Sequence, residues 1–238
     1  MSLLSLIDHA VLQPTLMESD LRAACAMCTQ LGVASVCVKP SLLPLTAELL
    51  RDSNVVPSTV IGFPHGGTAT AVKVRETQWS IEAGAREVDM VVNLGWVLAE
   101  DWLRVADDIQ SVVAAAAAHQ VLTKVIFETG LLPSDEFKIR LCEISEQAGA
   151  AFVKTSTGFG FVKSADGQLQ GTGATEHDIA LMRATCTPKV QVKASGGIRS
   201  FADASRFVAL GATRLGTSAT RAIAEGEQGS STISQDNY

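Results

Sequence analysis

Charge, aromatic rings and long apolar runs are all scarce in this chain. Only 18% of its 238 residues are charged and only 5% are aromatic, with a single tyrosine, against 47% apolar. So little charge excludes a solvated, disordered polymer, and the length allows one large core or two small ones. No apolar run approaches the roughly 18–20 residues that would span a bilayer. The longest, Val112 to Ala118, is mostly alanine and reads as helix. Basic residues are missing before Arg22, and Asp8-His9 interrupts the first apolar stretch, so the N-terminus does not read as a signal peptide. A cytoplasmic protein with no membrane partner is the expectation. A basic excess is lacking too. The net charge of −6 argues against a nucleic-acid surface. Residues 151–238 do carry a slight excess of Lys and Arg, which suits an anion or arises by chance.

Cysteine and histidine are equally sparing. Five cysteines, an odd number without disulfide-like regularity, fit a reducing compartment. Cys25 and Cys28 form a C-x-x-C, but they lie inside a helical stretch and a second ligand pair is missing, so buried thiols are expected there. Histidines 9, 65, 119 and 177 have no metal-site spacing. No metal or other cofactor is expected.

What is present is alternation. Short β-branched runs alternate with helix-period segments in eight units, with strands expected over 5–12, 33–38, 57–62, 86–92, 121–127, 150–154, 188–193 and 213–216. The strands read as continuous apolar runs, as in a parallel sheet covered on both faces. Eight such units without a linker favour a single (β/α)8 TIM barrel over residues 1–225. A long glycine-rich loop is expected from Gly158 to Gly173, one long helix from Ala99 to His119, and a short last helix ending at Glu225. Residues 226–238 are polar and aperiodic and read as a tail.

A barrel of this kind builds its site at the C-terminal ends of its strands, where Asp8, Cys37, Asp89, Glu128, Lys154 and Lys193 are expected. Two lysines ending buried strands demand explanation, because an unpaired buried cation is costly. A neutral lysine attacks a carbonyl to give a carbinolamine and then an iminium. A neighbouring ammonium and partial desolvation lower its pKa from about 10.4. One lysine is thus read as nucleophile and the other as the group that keeps it deprotonated. Paired with carboxylates, the same lysines would merely line a polar barrel end. Asp89 is either their salt-bridge partner or the group that moves protons. Cys37 reads as a small wall residue, and His9 and His65 as packing or rim groups. Gly196-Gly197-Ile198-Arg199 and Gly216-Thr217-Ser218 follow the last two strands, where barrels hold phosphate on backbone N–H groups. Arg199 either adds charge there or is a surface residue at a helix start.

At these residues the chain resembles the deoxyribose-phosphate aldolase family of class I aldolases, over roughly residues 6–225. The resemblance rests on Ile7-Asp8-His9, Val60 to Pro64, Val72-Lys73-Val74, Glu87 to Asn93, Glu128-Thr129-Gly130, Val153 to Phe159 and Val192 to Arg199. It implies reversible cleavage of 2-deoxy-D-ribose 5-phosphate to glyceraldehyde 3-phosphate and acetaldehyde. Lys154 would form the Schiff base, Lys193 would lower its pKa, Asp89 would relay protons and Asp8 would join the charge network around Lys193. Thr157, Gly158, Gly196, Gly197, Arg199, Gly216 and Ser218 would surround the phosphate. Three positions depart from the family. Ala10 replaces a common threonine, and Phe159 stands where some members carry lysine. Tyr238, the last residue, either matches the mobile C-terminal tyrosine of some members or ends the tail by accident. The alternatives are a class I aldolase with another phosphosugar donor and a barrel that binds a phosphosugar without catalysis. A homo-oligomer, dimer or tetramer, is entertained, although no interface patch is legible.

Overall fold

The computed structural model describes residues 2–235. Eight parallel strands close a barrel: β1 (Ile7–Val11), β2 (Ser35–Val38), β3 (Val56–Ile61), β4 (Glu87–Val91), β5 (Leu122–Ile126), β6 (Phe152–Lys154), β9 (Gln191–Ser195) and β10 (Arg214–Thr217). Their order around the barrel is β1-β10-β9-β6-β5-β4-β3-β2, so every strand has two neighbours and no edge is left open. The helices α1 (Glu18–Leu31), α2 (Leu43–Leu49), α3 (Thr70–Glu82), α4 (Leu94–Leu98), α5 (Trp102–Ala117), α6 (Asp135–Gln147), α7 (Glu176–Thr185), α8 (Phe201–Ala209) and α9 (Thr220–Gln235) connect them. Among the described residues no helix is long and apolar enough to cross a membrane.

Alternation along the strands divides the molecule into two interiors. Val88, Val125, Val153, Val192 and Leu215 join the main apolar core. Their neighbours Asp89, Lys124, Lys154, Lys193 and Arg214 belong to one charged cluster. A second buried ion pair stands apart from it. Lys73 of α3 donates to Asp108 Oδ2 of α5 at 2.6 Å and to the Val91 carbonyl at 2.9 Å, tying two helices to the end of β4. Gly62, at φ 63°, leaves room for this lysine, since a Cβ there would stand 2.8 Å from Lys73 Cε.

The helix expected from Ala99 to His119 is α5, running from Trp102 to Ala117, and a separate short helix outside the expectation, α4, precedes it. Asn93 caps α4 by accepting from Trp96 N–H, and Asp101 caps α5 by accepting from Arg104 N–H. Between them Glu100 turns left-handed at φ 54°. The loop expected over 158–173 contains an antiparallel hairpin, β7 (Phe161–Lys163) and β8 (Leu169–Gly171). The last helix does not stop at Glu225 either: α9 runs on to Gln235. Gly226 packs against Phe201, and Glu227 accepts from Leu3 N–H at 2.8 Å and Ser2 Oγ at 2.6 Å, so the polar stretch is anchored and continues helical. Tyr238 lies outside the described residues.

Candidate active site

The register of the barrel does the assembling. Lys154, last residue of β6, is paired with Lys193 on β9, and Asp89 on β4 with Lys124 on β5. One carboxylate oxygen, Asp89 Oδ2, accepts from Lys154 Nζ at 2.7 Å and from Lys193 Nζ at 2.8 Å. Lys193 Nζ also meets Asp8 Oδ2 at 2.5 Å. The four residues expected to do chemistry therefore form one cluster. Asp8, Asp89 and Lys193 lie deeper than expected, within their strands instead of at the ends. Lys154 alone ends its strand, and it is only 2% exposed.

Three charged members were not anticipated. Lys124 reaches Asp89 Oδ1 at 2.7 Å and Glu87 Oε2 at 2.6 Å. Arg214 bridges Asp8 Oδ1 at 2.7 Å and Glu87 Oε2 at 2.9 Å. Ser35 Oγ donates to Asp8 Oδ1 at 2.7 Å. Lys124 had a signal, since it interrupts an apolar strand. Arg214 had only parity, two residues before Gly216.

Four cations thus face three carboxylates. Burial penalises every charge, but Lys193, Lys124 and Arg214 outweigh it at Asp8 and hold that carboxyl far below the ordinary range. Asp89 is likewise held low, by Lys124, Lys154 and Lys193. Burial opposes the charge on Lys193, yet Asp8 and Asp89 prevail and its pKa is raised. Lys154 goes the other way. Burial is the largest influence and lowers its pKa, and the Lys193 ammonium acts in the same direction against the pull of Asp89. Asp89 pulls the other way and Lys193 offsets part of that pull, so desolvation decides the direction. The surplus cation able to lose its proton is Lys154.

Beside this cluster lies a cleft of about 690 Å³. Thr157, Gly158, Gly196, Gly197, Arg199, Gly216 and Ser218 all line it. Gly196 and Gly197 take φ of 92° and 81°, a left-handed pair open to glycine alone without strain. Successive backbone N–H groups of this kind suit an anion. Gly216 joins cleft and cluster: a Cβ there would stand 2.6 Å from Ser195 Oγ and 3.1 Å from Lys193 Cε. Arg199 is exposed, its backbone N–H donating to Asp203 at 3.2 Å.

Two of the family departures, Ala10 and Phe159, meet at one place. Phe159 packs edge-on against Phe63, ring centres 5.4 Å apart, and both sit with Ala10 on a small cluster of Leu12, Cys37 and Val60. Cys37 is therefore a wall residue, and its thiol is pushed up by burial and by Asp89. His9 is buried, its Nδ1 2.8 Å from Thr220 Oγ1, whereas His65 is exposed. Cys25 and Cys28 are buried in α1, and burial raises their thiols to about 11 and about 12. Among the described residues no three His, Cys, Asp or Glu side chains are grouped to hold a metal ion.

Fold and cluster define a (β/α)8 barrel with a depressed-pKa lysine beside a glycine-lined cleft. The chain belongs to the DeoC/LacD family of aldolases, whose family model matches residues 2–226. It is 47% identical over 223 residues to a deoxyribose-phosphate aldolase of Carboxydothermus hydrogenoformans, covering 93% of each chain. It is 44% identical over 238 residues to one from Listeria monocytogenes, covering 100% of both. Among solved structures it resembles the tetrameric deoxyribose phosphate aldolase of Aeropyrum pernix, with a TM-score of 0.85 at 31% identity, covering 95% of this chain and 91% of that one.

Proposed function

We propose that this chain reversibly cleaves 2-deoxy-D-ribose 5-phosphate to D-glyceraldehyde 3-phosphate and acetaldehyde through a Schiff base on Lys154. The observation that carries the reading is the single Asp89 oxygen shared by Lys154 and Lys193, in a chain of this aldolase family. The neutral amine of Lys154 adds to the sugar's C1 aldehyde, and the carbinolamine loses water to give an iminium. A proton then leaves the C3 hydroxyl as the C2–C3 bond breaks, and its electron pair moves to the iminium. Glyceraldehyde 3-phosphate departs and an enamine stays on the lysine. Protonation at C2 and hydrolysis release acetaldehyde and restore the amine.

Asp89 relays the protons, through water where the distance requires one. Lys193, locked as an ammonium by Asp8 and Asp89, keeps Lys154 from holding its proton. Asp8 serves the chemistry by fixing Lys193. Gly196, Gly197, Gly216, Ser218, Thr157, Gly158 and Arg199 surround the phosphate. We place the enzyme in the cytoplasm as a homo-oligomer, a reading to which the Aeropyrum pernix tetramer lends support.

The direct assay supplies 2-deoxy-D-ribose 5-phosphate and measures both products, then runs the reverse reaction with a panel of aldehyde donors. Formation of the C5 phosphosugar from acetaldehyde is expected. Failure to use acetaldehyde, with turnover of another donor, would replace this substrate assignment.

A further inference from the structure

Glu128 stands two residues beyond the last residue of β5, Ile126, and adopts the left-handed conformation, φ 55° and ψ 57°. Glu100 and Gln120 also have positive φ, but both are exposed, whereas Glu128 is buried. A buried glutamate in this conformation is held there by its surroundings. No cation lies within ion-pairing distance of its carboxylate among the described residues. It is met by donors from one loop, the connection between β6 and α7. Thr157 N–H approaches its two oxygens at 3.3 and 3.2 Å, Thr157 Oγ1 donates to Oε2, and Thr172 Oγ1 lies 3.5 Å from Oε1.

Those two threonines stand at opposite ends of the excursion that carries the β7–β8 hairpin. Thr157 Oγ1 in turn accepts from Phe159 N–H at 2.9 Å, and Thr172 N–H closes the hairpin base onto the Gly160 carbonyl at 2.8 Å. The packing there leaves no room for a side chain. A Cβ on Gly160 would lie 2.4 Å from Thr172 Oγ1 and 2.9 Å from the Glu128 carboxyl carbon, and one on Gly130 would lie 2.5 Å from Thr172. The outgoing limb lines the cleft, and the returning limb is tied to a residue that lines it. Thr157, Gly158, Phe159 and Phe161 line it from the outgoing limb. On the returning limb Ala174 N–H donates to the Gly196 carbonyl at 3.0 Å.

We propose that Glu128 is a positioning residue that clasps both limbs of the β6–α7 loop and so holds the cleft wall facing the substrate's phosphate end. This rests on the aldolase reading above and extends it to a residue that touches no reacting atom. Three donors converge on Glu128, and a carboxylate is acceptor-only, which is why the position takes Glu. A glutamine fills the same volume but presents one oxygen and an NH2 group to those donors, so it should weaken the clasp without emptying the site.

The test compares Glu128→Gln and Glu128→Ala with the unmodified enzyme by three readouts. The first is tryptic nicking after Lys163 in the hairpin, which reports the clasp independently of activity. The second is the split between KM and kcat for 2-deoxy-D-ribose 5-phosphate. The third is the rate of borohydride-trapped adduct formation with acetaldehyde, which has no phosphate. We expect faster nicking, a KM raised about tenfold with kcat reduced no more than about threefold, and adduct formation within about twofold of the unmodified rate. Glu128→Gln should lie between the parent and Glu128→Ala, and it carries the test if the alanine variant does not fold. Unchanged nicking, an unchanged KM, or loss of the acetaldehyde adduct together with phosphosugar turnover would overturn the proposal. If the unmodified enzyme gave no acetaldehyde adduct, the Schiff-base reading would fail, and the nicking rate would still judge the clasp.

Discussion

Lys154 and Lys193 are register partners on adjacent strands, and both ammonium groups reach the same oxygen of Asp89. Their surroundings separate them. Lys193 has a second carboxylate, Asp8, at 2.5 Å, while the other ammonium nearby, Lys124, is held by Asp89 and Glu87. Lys154 is left sharing its one carboxylate. The pair therefore divides its labour by partner count, one lysine kept charged and the other ready to lose its proton.

Replacing Lys193 should expose that division in the pH profile. Lys193→Leu removes the ammonium and leaves Asp89 Oδ2 entirely to Lys154, and both changes raise the pKa of Lys154. The acid limb of kcat/KM, which reports deprotonation of the amine, should move to higher pH, with a large loss of activity at neutral pH. An unchanged profile with full activity would refute the pKa-lowering role.

Lys124 should matter first to stability. Lys124→Met leaves Asp89 and Glu87 short of a buried cation, and breaking such a network by deleting one partner costs about 3–5 kcal/mol. Urea unfolding followed by circular dichroism measures it. A loss under about 1 kcal/mol would mean that Arg214 and Lys193 make good the missing charge.

Gly216 lies where cleft and cluster meet, with no spare volume. Gly216→Ala would place a methyl carbon 3.1 Å from Lys193 Cε and 2.6 Å from Ser195 Oγ, so one of them must move. We expect kcat/KM to fall by about tenfold or more, since displacing Lys193 disturbs the positioned charge. A variant with parental kinetics would show that the floor of the cleft is compliant.

The pH dependence of stability has a definite sign at both ends. Asp8 and Asp89 are depressed in the folded state, so their contribution is fully present above the unfolded carboxylate value of about 3.9. It is lost as pH falls through their folded values. Lys124 and Lys193 are raised, so their contribution is present below about 10.4 and is lost only at still higher pH. Lys154, depressed, runs opposite to the other lysines and adds a gain as pH rises through its folded value. Melting temperature should therefore drop below about pH 4, and above that its main change with pH should be the Lys154 gain. A loss on acidification that begins at about pH 6 and persists in Lys154→Met would contradict the ionised carboxylates.

The barrel was legible because alternating segments and covered strands are local patterns. Lys154 and Lys193 were legible because each ends or interrupts an apolar run beside glycine. The rest needed closure. Whether Lys124 faces the same interior as Asp89 depends on inter-strand register, as does the meeting of Arg214 with Asp8 and Glu87. Nothing local to β5 or β10 states that. The hairpin was hidden by Gly160, Gly167, Gly171 and Gly173, which make its loop read as irregular. The short α4 and the late start of α5 depend on two polar caps, Asn93 and Asp101, inside an otherwise helical composition. Residues 226–235 looked like a tail because their anchor, Ser2 and Leu3 on Glu227, comes from the opposite end of the chain.

On the proposed mechanism, Lys154 is the amine that becomes covalent. Borohydride reduction in the presence of acetaldehyde, followed by peptide mass mapping, tests it directly. One stable ethyl adduct is expected on the peptide containing Lys154, and none in Lys154→Met. No adduct, or an adduct carried by Lys193, would contradict it.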